Sequence, residues 1–218
     1  MQLPSSLVAV RPEALINTFA ERGGKIVLLY GDSLTFRFSL MMAARAMKNG
    51  TMVAVVDGCN RFDVHLLATY ARKHRIDPNA FLRRIVVSRG FTCYQIEAAI
   101  ANRLEGVLSR IGSSTAMIFG ILDTMYDEQA KLHEVQQILD RLLASLHRMK
   151  GENISVLLAC TEWKVFPQER NRLFARLKAG SDHVYRFIMN EKNLPALYLE
   201  SMHGSHGTNS TDIYQHHR

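Results

Sequence analysis

The sequence predicts an α/β fold: a mostly parallel, doubly wound central sheet with helices on both faces, in three αβα layers. Three observations carry the prediction. Runs of strand length, Ile26 to Leu29, Met52 to Val56, Ala116 to Leu122 and Ser155 to Cys160, are almost wholly apolar, which suits strands buried on both faces. Between them lie segments whose apolar residues recur at helical spacing. The stretch Lys25 to Cys59, KIVLLYGDSLTFRFSLMMAARAMKNGTMVAVVDGC, reads strand, helix (about Ser39 to Lys48), a turn at Asn49-Gly50, and strand. Such a βαβ unit requires parallel strands.

In chain order, Leu3 to Val10 is an apolar lead that fits an extra strand, an oligomerisation arm or a loose end. A short helix follows, with Pro12 near its first turn and Gly23-Gly24 stopping it. After the βαβ unit, Val64 to His74 reads as a helix, Asp77-Pro78 opens a short one, and RIVVS (Arg84 to Ser88) is a strand. Ile96, Ala99, Ile100, Leu104 and Val107 mark a helix over Tyr94 to about Leu108, ended by Gly112. The longest helix runs from about Asp127 to Met149, a basic helix covers Gln168 to Lys178, and strands His183 to Met189 and Ala196 to Glu200 close the fold as a hairpin. The organisation is a lead and short helix over 1–24, a core domain over 25–200 and a flexible tail over 201–218 holding four histidines.

Composition narrows the function classes. No run of eighteen apolar residues and no secretory pattern are present, so a cytoplasmic chain without membrane contact is expected. Cys59, Cys93 and Cys160 are scattered and read as free thiols. Asp57, Cys59, Asp63 and His65 match no metal-ligand spacing, and Asp63 suits a helix N-cap, so no metal site is assigned. The net charge of +7 concentrates in Arg61 to Arg110 and Lys164 to Lys192, a distribution that suits a polyanion or solvated helix faces.

Ligands of doubly wound sheets sit at the carboxyl ends of strands, which places Gly31 to Phe38 and Asp57 to Asn60 around the expected pocket. A phosphate-binding loop there reads G-x-x-x-x-G-K-[ST]. Gly31 supplies the first glycine, but Phe36 takes the second glycine's place, Arg37 the lysine's and Phe38 the hydroxyl's, with Ser39 one residue late. Gly31, Asp32, Ser33, Arg37 and Ser39 are therefore the candidate nucleotide-contacting residues of a degenerate loop.

From Val55 to Ile100, VVDGCNRFDVHLLATYARKHRIDPNAFLRRIVVSRGFTCYQIEAAI places an acidic turn after a strand, a Phe and a helix, an Asp-Pro pair, a short strand and an R-G-F-T turn into the next helix. This arrangement resembles the core domain of the RecA-type recombinases, especially archaeal RadA and its eukaryotic relatives. Weaker similarity extends over Lys25 to Glu200. The resemblance implies a RecA-like core. It puts the family's catalytic glutamate at Cys59, its second acidic motif at Gly120 with Asp123 three residues on, and its polar sensor at Glu162. With Phe36, Arg37 and Phe38, these departures imply that ATP hydrolysis has been lost, so no catalytic residue and no cofactor is assigned.

The resemblance further implies a non-catalytic partner in DNA recombination or repair, binding single-stranded DNA, another copy of itself or a RecA-family protein. The family's two DNA-binding loops look short here, at Asp123 to Glu128 and Glu162 to Pro167. Trp163 is expected to stack and Lys164, Arg170, Arg172 and Arg176 to contact phosphates. Two alternatives stay open: a divergent DNA-dependent ATPase using ATP and Mg, with Arg37 in place of the lysine and Asp123 as the metal-binding acid, and a small-anion module built on Arg37 and the helix N-terminus.

Overall fold

Backbone hydrogen bonds join eight strands into one mixed sheet: β1 Val8–Val10, β2 Ile26–Gly31, β3 Val53–Asp57, β4 Ile85–Arg89, β5 Thr115–Phe119, β6 Ser155–Thr161, β7 His183–Met189 and β8 Pro195–Met202. Their order is β1-β8-β7-β2-β6-β5-β3-β4. All pairings from β7 to β4 are parallel; β8 runs antiparallel to β7 and to β1. The computed structural model describes residues 7–20, 23–126, 130–162, 168–189 and 194–202. The expected roles of Trp163, Lys164, Leu3 to Ser6 and the histidine tail concern residues outside these ranges.

The period-two alternation of the strands sorts their side chains into two cores. Val27, Leu29, Val55, Met117, Phe119 and Leu157 face one side, under helices α1 Pro12–Ala20, α2 Leu34–Lys48, α3 Val64–Lys73 and α4 Pro78–Leu82. Ile26, Leu28, Val56, Ile118, Val156 and Leu158 face the other, under α5 Cys93–Glu97, α6 Glu105–Ile111, α7 Leu132–Gly151 and α8 Asn171–Ala179. Both faces of the central strands are thus buried, as continuous apolar runs require.

Local chemistry sets several boundaries. Asp63 is the expected N-cap of α3, its Oδ1 accepting from the Leu66 N–H at 3.0 Å. Asp77 caps α4 ahead of Pro78, and Thr92 caps α5. Between α5 and α6 the helix passes through a π segment, Ala98–Leu104. Its buried residues Ile96, Ile100, Leu104 and Leu108 repeat every four positions. A straight α-helix would rotate them by about 40° per repeat, and wider i→i+5 turns absorb that drift.

Three expectations change. Helix α2 begins at Leu34, five residues before Ser39. Strand β5 stops at Phe119 because Gly120 turns with φ +64°. The longest helix starts at Leu132. Val8–Val10 takes the extra-strand option, pairing with β8 of the same chain. Among the described residues, no helix is long and apolar enough to cross a membrane.

Candidate functional site

The carboxyl ends of β2, β6, β5 and β3 stand side by side in the sheet. Connections leave them for opposite faces: β2 and β3 lead into α2 and α3 on one side, β5 and β6 into α7 and α8 on the other. Such a divergence opens a crevice at the strand ends.

At the tip of β2, Gly31 lies between Thr161 of β6 and Phe187 of β7. Its φ is +154°, and a Cβ added there would fall onto the Phe187 carbonyl oxygen. Asp32 starts the helix, its Oδ1 accepting from the Leu34 N–H at 2.8 Å and its carbonyl from the Thr35 N–H. Ser33 is exposed, helical in backbone and makes no capping bond. Phe36 is buried edge-to-face on Phe119, with centroids 5.6 Å apart. Ser39 is buried and donates to the Thr35 carbonyl at 2.9 Å. Of the residues expected to meet a nucleotide at this turn, Arg37 alone presents a cation to solvent.

Asp57, at the end of β3, has a fully buried carboxylate that organises the next loop. It accepts from the backbone N–H groups of Cys59, Arg61 and Phe62 at 3.3, 3.1 and 3.1 Å, and Arg89 Nε lies 3.6 Å away. The Asp-Gly-Cys-Asn run is the signal for this turn, since Asp side chains readily bond their own downstream backbone. Asn60 completes it with φ +55°.

Asp123 does come to this place. Its Oδ2 and the Cys59 Sγ both crowd the position a Cβ on Gly120 would occupy. Burial, together with the neighbouring carboxylates of Asp123 and Asp57, pushes the Cys59 thiol well up. Burial and Asp123 do the same to Cys160. Both environments disfavour the thiolate form. Asp123 itself is raised, first by burial and then by Asp57, with Arg61 opposing. Its folded form therefore holds a proton more tightly than its unfolded form. The stability it contributes is present at acid pH and lost as pH rises through the folded pKa. Asp123→Asn is thus expected to raise the thermal midpoint at pH 7, an advantage that shrinks as pH falls into the ordinary carboxylate range. Melting curves across pH check this, and an unchanged or lower midpoint at pH 7 contradicts it.

Glu162, at the sensor position, donates its backbone N–H to the Gly31 carbonyl and accepts from Arg186 Nη2 at 2.7 Å. The basic helix departs from its expected role. Arg170 is buried, 4% exposed, and donates to the carbonyls of Met125 and Ala130, so it ties α8 to the β5–α7 connection and cannot meet a DNA phosphate. Arg176 is paired with Asp140 of α7. Arg172 is exposed. Among the described residues, no group of three or more His, Cys, Asp or Glu is placed to hold a metal ion.

Residue-by-residue reading missed a groove of about 490 Å³ between the starts of α2 and α3, lined by Ser33, Leu34, Arg37, Arg61, Val64 and His65 among others. In the sequence Arg61 belongs to a basic excess and His65 to a cluster with no metal-ligand spacing; no motif joins them to Arg37, 24 or more positions earlier. A roomier cavity, about 630 Å³, lies at the opposite edge of the sheet, among Ile16, Phe19, Arg45 and Asn153, away from the carboxyl ends of the strands. No protein-family model matches this sequence, and no curated protein matches it significantly.

Proposed function

We propose that this chain is a non-catalytic RecA/RadA-like protein, a pseudo-ATPase that acts as a DNA-binding or assembly partner in DNA recombination or repair. The observation that carries the reading is the immediate start of α2 after Gly31. Two residues, Asp32 and Ser33, separate the strand's last glycine from a helix whose first turns bury Phe36 and use the Ser39 hydroxyl internally. A phosphate loop needs a longer run of free backbone N–H groups, a lysine and a metal-binding hydroxyl. The RecA-like part is supported by adjacency: the four strand ends that the resemblance assigns to phosphate loop, sensor, second acid and glutamate are neighbours, in the order β2-β6-β5-β3.

The divergent-ATPase reading keeps one observation in its favour, the reach of Asp123 over Gly120 beside Cys59. One measurement separates the two. Adding magnesium to millimolar ATP is expected to leave the thermal midpoint where ATP alone puts it. A nucleotide at one hundred times its Kd stabilises by about 2.7 kcal/mol, roughly 5–10 °C for a chain of this length. A magnesium-dependent shift of that size would overturn the pseudo-ATPase reading.

A further inference from the structure

We infer that the groove between α2 and α3 is a site for a phosphate ester carried beside a flat apolar group, namely a nucleotide unit, and that Arg37, Arg61 and His65 form its anion-binding face. This deepens the DNA-partner reading above, on which its nucleic-acid form rests, by moving the contact from α8 to the other side of the sheet.

The walls and the charges point to the same ligand. Leu34 and Val64, two of the few large apolar side chains left exposed, at 37% and 41%, both line this groove. Phe36 and Phe62 line it as well. Arg37, Arg61 and His65 are exposed and line it too. None of the three forms an ion pair with a described carboxylate. The nearby acids keep their charge: Asp63, in the groove lining, accepts from the Leu66 N–H, Asp32 accepts from the Leu34 N–H, and Asp123 feels the charge of Arg61. Arg37 and Arg61 outnumber Asp63, the one carboxylate among the lining residues, and Leu34 and Val64 add an apolar strip to the same lining. A small inorganic anion would use the charges and leave the strip bare. A base attached to a phosphate uses both, as in single-strand binding. The positive ends of the α2 and α3 dipoles reinforce the anion preference. Arg61 is held in place by a rigid loop, since its own N–H is bonded to buried Asp57.

The test uses the full chain and three probes at about 50 mM salt: a fluorescent single-stranded oligo-dT, AMP and inorganic phosphate. The variant Arg37→Glu with Arg61→Gln is compared with Arg172→Glu on α8. Arg37 is exposed near a helix start, where an acid is tolerated, and a matching thermal midpoint confirms folding. Arg37→Gln with His65→Gln provides a second, charge-neutralised version. The oligonucleotide is expected to bind, to lose at least about tenfold in affinity in the Arg37→Glu with Arg61→Gln variant with a salt slope reduced by about 1.4, to lose less with a slope reduced by about 0.7 or more in Arg37→Gln with His65→Gln, and to keep its affinity in Arg172→Glu. If AMP alone protects against unfolding and the groove variants abolish that protection, the ligand is a free nucleotide and the site stands. Oligonucleotide binding unchanged in the groove variants, or phosphate bound as tightly as AMP, overturns the assignment and leaves the partner reading intact. No binding of any probe overturns both the site and the DNA half of the proposed function.

Discussion

Gly31→Ala is expected to destabilise the fold by about 4 kcal/mol or more, or to prevent folding. Two costs add. The residue sits at φ +154°, where an L side chain is strained. Its Cβ would also enter the Phe187 carbonyl, with that group's carbon only 2.8 Å away. The obstacle is backbone in a central parallel pair, so no rotamer change relieves it; β2 and β7 must separate. For a chain of this length the loss corresponds to roughly 8–16 °C in midpoint. Urea unfolding checks it, and a loss below about 1 kcal/mol would mean that the strand tips do not approach so closely.

Asp57→Ala is expected to cost about 3 kcal/mol, close to 6–12 °C. The carboxylate is buried and is the common acceptor for three backbone N–H groups of the loop after β3, with Arg89 as its counter-charge. Removing it leaves those donors with no acceptor and Arg89 with no anion, and truncating one partner of such an arrangement costs more than the arrangement contributes. Asp57→Asn retains one acceptor oxygen and should lose less. Because the same loop carries Arg61, the alanine variant is also expected to lose nucleotide binding at the groove with Arg37 unaltered. An Asp57→Ala protein that melts like its parent would show that the loop is held by other contacts.

How far the sequence was legible differs between fold and site. Continuous apolar runs announced β2, β3, β5 and β6, and helical spacing announced α3 and α7, because burial on two faces or one leaves a periodic trace. The Asp63 cap was equally plain, since a cap acts within three residues of itself. The start of α2 was not: Gly31-Asp-Ser reads as the beginning of a phosphate loop, and only the packing of Phe36 on Phe119, 83 positions away, draws the helix back to Leu34. Arg170 misled for the same reason. On a basic amphipathic helix an arginine reads as solvent-facing, yet the β5–α7 connection presents two carbonyls that α8 approaches closely enough to take it inside.

By itself, then, the sequence determined the order of elements, their periods and hence a layered α/β sheet. Only the tertiary structure decided which charges meet water, which meet each other and which are consumed by backbone. The physical reason is range: periodicity and caps are set by neighbours a few residues away. The fate of Arg37, Arg61, Arg170 and Asp123 depends instead on surfaces brought together by pairing strands far apart in the chain.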